Sequence, residues 1–257
     1  MDDKLKGFLE KTLRATVPLA EAPASSNTKF LPTLLGIYRV SLSTLRDIYY
    51  LSQNEDSGLN VLDLARKITE YGISVEYMIF KGKEEMATRF QDHLWTQTHQ
   101  ELTFLKSIGE DESKWEEEIK NGAEEAEKRF AGLNHDARER ITWAGKDLDS
   151  MLKELYDSGS LKYFDHSRIG QMYVWGSRAN HPNPFIVINY LENEDQKTSN
   201  NFYFRLGIIT ALSFHIRLTT RLIDEIRFLS GKNDHKEVAD SVLAIYEEMD
   251  KLSESEK

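Results

Sequence analysis

The chain contains no cysteine, and this absence excludes several kinds of site. Without a thiol there is no disulfide framework, no thiolate metal site and no cysteine nucleophile. The chain has 257 residues. A chain of that length buries roughly 70–75% of its unfolded surface, so we expect stability to need neither a metal nor a disulfide.

Long apolar runs and a basic N-terminus are also missing. The longest apolar runs, such as residues 185–188, hold only a few residues, whereas a membrane-spanning helix needs about 20. Acidic residues, Asp2 and Asp3, stand where a signal peptide carries basic ones. We therefore expect a cytoplasmic chain that is neither exported nor inserted in a membrane.

Basic residues are outnumbered, because 33 Lys and Arg face 43 Asp and Glu, a formal net charge of −10. Such a balance disfavours a broad phosphate-binding face, although a local basic patch can exist on an acidic protein. RNA is therefore a partner that the overall charge does not indicate, without excluding it.

Proline and glycine are scarce, at 5 and 14 residues. They separate long stretches with apolar residues every three or four positions, a spacing typical of amphipathic helices. We predict an all-α fold, a single multi-helix bundle at residues 29–253, with residues 1–19 as an N-terminal helix or arm. The predicted helices span residues 2–17, 30–52, 61–81, 84–107, 110–129, 137–156, 167–180, 202–230 and 236–252. Residues 185–191 are predicted to form one short extended segment.

Three polar residues follow one another near the end of the predicted helix 167–180. Tyr173 and Ser177 are four residues apart and share a helical face, and His181 comes at the next step of four, where Pro182 ends the helix. His181 in that position can cap the helix, bind a ligand, or act as an acid or base near neutral pH. The sequence leaves these alternatives open.

A second histidine, His215, lies in register with Ile208 and Leu212 on a mostly apolar helix face, so we expect it to be buried. A buried imidazole is costly unless it is paired. The expected partners are Tyr173, Ser177, Arg39 and His181. We expect His181 and His215 to meet in a shielded cleft, and the alternative is a hydrogen-bonded core histidine.

Metal and cofactor motifs are not recognisable in the sequence, and we predict neither. His93 and His99 lie on one predicted helix but are about 240° apart around its axis. No HExxH, EF-hand, GxGxxG or phosphate-loop spacing occurs. Residues 143–146 (Trp-Ala-Gly-Lys) are interpreted as the start of a helix with the indole packed inward.

One block of residues carries a family resemblance. It contains, in order, Trp143, Gly145, Lys146, Asp165, Tyr173, Ser177, His181 and Pro182. The pattern W-x-G-K followed by Y-x-x-x-S-x-x-x-H-P resembles a bacterial family of helical proteins numbered 5677 among the domains of unknown function. The resemblance covers residues 30–200 and implies a bacterial helical protein without a settled activity.

The first functional hypothesis is a binding or regulatory module with a polar groove. Its groove residues are Tyr173, Ser177, His181, His215, Arg39 and Arg217. The excess of tyrosine and the amphipathic first helix favour a homodimer or another protein as the partner.

The alternative hypothesis is a metal-independent ribonuclease of a defence or toxin system, HEPN-like by analogy only. In such enzymes an arginine holds the scissile phosphate and a histidine moves the proton. The strict Arg-x(4–6)-His spacing occurs only at Arg129 and His135. The catalytic candidates are therefore His181, Arg178 and His215, with Arg217 brought in from another helix.

Overall fold

The computed structural model describes residues 3–22, 27–54, 57–109, 116–130, 143–161, 169–172, 174–176, 196–233 and 235–254. Within these residues every regular element is a helix, which confirms the all-α prediction. The elements are α1 (Asp3–Thr16), a 3-10 helix (Val17–Glu21), α2 (Phe30–Leu51), α3 (Gly58–Lys81), α4 (Lys83–Ser107), α5 (Glu116–Phe130), α6 (Leu148–Asp157), α7 (Gln196–Ser230) and α8 (Lys236–Glu254). Residues 169–172 and 174–176 are also helical. The predicted extended segment 185–191 lies outside the described residues.

The structure differs from the predicted helices 137–156 and 202–230; the predicted start at residue 137 lies outside the described residues. In the predicted helix 137–156, residues 143–146 form a turn, and α6 begins only after Asp147, whose carboxylate accepts a hydrogen bond from the Ser150 amide at 2.8 Å. In contrast, α7 begins at Gln196, although its polar first turns predicted a loop. Asn200 explains the difference, because it is buried and its backbone oxygen would lie 2.3 Å from a Cβ added at Gly58. Packing against α3 thus overrides the local composition.

The helices group into two compact units. Unit 1 comprises Met1–Ser25, Leu34–Val75 and Leu161–Lys257, and unit 2 comprises Ser26–Thr33 and Glu76–Ser160. The N-terminal residues 1–19 thus contribute α1 to unit 1. There α1 buries Leu5 and Leu9 completely, and its Lys11 forms a 3.0 Å ion pair with Glu248 of α8.

Unit 2 is built from α4, α5, α6 and the adjoining ends of α2 and α3. The charged helix α5 exposes Glu117 and Glu124 but buries Ala123 and Ala126. Its Gly122 faces Trp95 of α4 so closely that a Cβ there would lie 2.6 Å from the indole. The small residues of this acidic helix therefore form its packing face.

The long helix α7 supplies much of the core of unit 1. Within the described residues, one stretch, Asn200–Ser230, is long and apolar enough to cross a membrane, and 72% of its most apolar window is buried inside the protein. A helix that is buried to this extent is typical of a protein core.

Helices α3 and α7 approach closely at glycines. A Cβ added at Gly72 of α3 would lie 2.3 Å from Cδ1 of Phe214, which is fully buried on α7. A Cβ at Gly207 of α7 would lie 3.2 Å from the backbone nitrogen of Leu62. Because glycine has no side chain, Gly72 and Gly207 allow the two helices to lie this close together.

This packing predicts opposite effects of two glycine-to-alanine changes. Gly72→Ala should lower the free energy of unfolding by about 1–3 kcal/mol, because Phe214 must move. Gly36→Ala should raise it by about 0.5–1 kcal/mol, because Gly36 is exposed within α2 with no atom within 4 Å of the added methyl. Urea unfolding measures both, and equal stabilisation by the two changes would contradict the close approach.

Candidate functional site

His215 is fully buried in unit 1, as its register predicted, and it has three neighbours from two other helices. Its Nδ1 lies 2.9 Å from Ser41 Oγ on α2, and its Nε2 lies 3.2 Å from Thr16 Oγ1 at the end of α1. The imidazole stacks on Tyr38, with 5.3 Å between ring centroids and 22° between planes. We call these three residues and His215 the His215 network. Arg39, the one predicted partner that the structure describes, is not part of it.

The hydrogen bonds of Thr16 assign the tautomer of the imidazole. Thr16 Oγ1 donates its only hydrogen to the Thr12 carbonyl oxygen at 2.8 Å. Towards His215 it therefore acts as an acceptor, so Nε2 carries the proton and Nδ1 accepts from the Ser41 hydroxyl. Tyr38 completes the network by donating to the Thr16 carbonyl oxygen at 2.6 Å.

Burial keeps both titratable groups of this network neutral. Loss of hydration lowers the pKa of His215 to about 3 and raises the pKa of Tyr38 to about 12, against the opposing hydrogen bonds of Tyr38 at Thr16 and Thr219. A general acid or base works best with a pKa near the working pH. The environment of His215 thus favours the core histidine over the catalytic one.

The pKa of His215 predicts an acid-dependent loss of stability. The unfolded chain takes up the proton near the ordinary value of about 6.5, whereas the folded chain does so only near 3. The contribution of His215 to the free energy of unfolding is therefore complete above pH 6.5, and it falls as the pH drops towards 3. By pH 5 this amounts to about 2 kcal/mol of unfolding free energy.

Chemical denaturation at several pH values measures this loss in wild type and in His215→Asn. The Asn variant should lose less stability than wild type on acidification. The matched control His235→Asn, at the start of α8, should follow wild type. If the wild-type and His215→Asn curves have the same pH dependence, the buried neutral imidazole is refuted.

Arg217 lies two residues after His215 on α7 and therefore points about 160° away from it around the helix. It lines a cavity of about 710 Å³ between α7 and α8. The lining residues, which we call the α7/α8 groove, are Ser213, Ile216, Arg217, Thr220, Arg227, Asn233, Lys236, Ala239, Asp240, Leu243, Tyr246 and Asp250. The structure therefore separates two residues that the predicted site had joined.

The other predicted site residues are distributed as follows. Arg39 is exposed, and its Nε donates to the Ala20 carbonyl oxygen at 2.9 Å, so it holds the end of the 3-10 helix. Tyr173, Ser177, Arg178 and His181 lie outside the described residues, as does His135. The ribonuclease hypothesis, which depends on them, stays a prediction.

Sequence reasoning missed most of the α7/α8 groove, although its spacing is visible in retrospect. The groove residues of α7 and those of α8 each recur at steps of three, four or seven, which places each set on one helical stripe. The stripes carry basic side chains at Arg217, Arg227 and Lys236, and acidic ones at Asp240 and Asp250. Charged residues on one helical stripe are usually a solvent-exposed face, so this spacing alone does not indicate a groove.

The Trp-Ala-Gly-Lys turn has a structural role in unit 2. Trp143 is buried and meets Phe90 and Tyr77 edge to face, at 5.4 and 6.2 Å between ring centroids. Gly145 adopts a φ of 66°, in the left-handed region. Lys146 pairs with Glu154 of α6, which also binds Lys81 of α3 at 2.8 Å. The turn therefore joins α3, α4 and α6.

Two substitutions in this turn separate packing from charge. Trp143→Ala should lower the free energy of unfolding by about 3–5 kcal/mol, because it removes a buried aromatic side chain. Lys146→Met should lower it by less than about 1 kcal/mol, because the ion pair is partly exposed to solvent. Denaturant unfolding followed by circular dichroism compares them, and a larger effect of Lys146→Met would contradict the packing role.

Neither metal ligands among the described residues nor similarity to known proteins adds a functional assignment. Among the described residues, no group of three or more His, Asp and Glu side chains could hold a metal ion. Comparison of the chain with protein-family models, with curated proteins and with solved structures finds no match. The resemblance to the domain family numbered 5677 stays a prediction.

Proposed function

We propose that this protein is a binding or regulatory module whose ligand lies in the α7/α8 groove. The observation that carries the proposal is the cavity of about 710 Å³ inside unit 1. Small-molecule sites are concave, measure about 300–1,000 Å³ and combine an apolar lining with a few polar groups. The groove has this combination, with Ile216 and Leu243 beside Arg217 and Tyr246.

The two walls of the groove are held by contacts on their other sides. On α7, the His215 network fixes the face opposite the groove. On α8, Val242, Ile245 and Met249 are buried, and Glu248 pairs with Lys11 of α1. Walls of this kind preserve the shape of a site before the ligand arrives, which reduces the entropic cost of binding.

Filling the groove should abolish binding without unfolding the protein. In Ala239→Trp the indole occupies the groove, whereas in the control Ala244→Trp it lies on the exposed side of the same helix. Ligand-observed NMR with a library of small fragments measures binding to both variants and to wild type. We expect fragments that bind wild type and Ala244→Trp to lose binding to Ala239→Trp.

The same experiment also has outcomes that would contradict the proposed binding site. Circular dichroism first verifies that the two variants keep the helical content of wild type. Fragments that bind Ala239→Trp as strongly as wild type, or a library from which nothing binds wild type, would refute the α7/α8 groove as the binding site.

A further inference from the structure

We infer that the ligand of the α7/α8 groove is a small organic anion, with one carboxylate or phosphate bound by Arg227 and an apolar body lying on Leu243. This inference rests on the proposed function, because it assigns a chemical class to the same site.

The anion follows from the surroundings of Arg227. Its Nε is buried, and no acceptor for it is found in the described part of the chain. A guanidinium keeps its charge at every physiological pH, and a buried N–H of a charged group without an acceptor is costly. Arg227 lines the groove, where a carboxylate or phosphate would accept from its guanidinium through two parallel hydrogen bonds.

The charge near Arg227 also favours an anion. Arg227 stands near the end of α7, and Lys236 begins α8 after a short connection, so both basic residues lie at one end of the groove with Asn233. Asp240 is the one acid of the groove within a turn of Lys236. The lining residues at this end of the groove therefore carry two cations, Arg227 and Lys236, against one acid.

The apolar part of the ligand is inferred from the residues in the middle of the groove. Leu243 lines it and is 57% exposed, and Ala239 and Ile216 lie along the same two stripes. Along α7, Ile216 is about 16 Å from Arg227 at 1.5 Å per residue. An apolar chain extending from an anion at Arg227 would therefore cover Leu243 and remove its surface from water.

Decanoate and decan-1-ol test this inference, because they share an apolar chain and differ in charge. Isothermal titration calorimetry of the full chain measures both ligands. We expect decanoate to bind about ten-fold more tightly than decan-1-ol, since a charge-assisted hydrogen bond is lost in the alcohol. Decyl phosphate separates the two anions, because the tighter of decyl phosphate and decanoate identifies the preferred headgroup.

Two variants assign the effect to Arg227. Arg227→Gln should weaken decanoate about ten-fold and leave decan-1-ol unchanged, whereas Lys251→Gln, an exposed residue of α8 outside the groove, should leave both unchanged. Equal affinities for decanoate and decan-1-ol, no effect of Arg227→Gln, or no binding of decanoate would overturn the inference.

The failure of the inference is distinguishable from that of the proposed function. If decan-1-ol binds wild type as well as decanoate does, and Ala239→Trp abolishes both, the groove is a binding site for an apolar ligand or a partner helix. The inference of an anionic ligand is then wrong, whereas the proposal that the groove is a binding site is right. If Ala239→Trp changes the binding of no fragment and of neither decyl ligand, both are wrong.

Discussion

The hydrogen bonds of one buried imidazole fix the arrangement on which the rest of unit 1 depends. His215 of α7 contacts Thr16 of α1 and Ser41 of α2, and it has no exposed surface. A shift of α7 by one residue would turn this ring by about 100° and leave polar atoms buried without partners. The network therefore selects one rotation of α7 among those that would bury an equal amount of apolar surface.

That rotation decides which residues of α7 face α8. Arg217 and Arg227 follow the stripe opposite His215, so the side chains that line the α7/α8 groove are a consequence of the buried network. A single helix thus has a polar contact that specifies its packing and, on its other side, a concave surface suited to a ligand. This division is the physical basis of the proposed function.

The sequence predicted those properties that depend on local spacing. The period of apolar residues predicted α2 at 30–52, against Phe30–Leu51 in the structure, and the register of His215 predicted its burial. It did not predict Ser41 and Thr16 as partners, because they are 174 and 199 residues away along the chain. The first turns of α7 and the groove were missed for the same reason, since they depend on which helices become neighbours. The predicted meeting of His181 with His215 involves a residue outside the described part of the chain.

The most direct test of this account is an NMR titration of the histidine ring nitrogens. With a pKa of about 3, the ring of His215 should stay neutral, with the proton on Nε2, as the pH falls from about 7 to about 5. An exposed histidine titrates across that range. A spectrum in which His215 titrates near 6.5, or carries its proton on Nδ1, would contradict the buried network and with it the orientation of the α7/α8 groove.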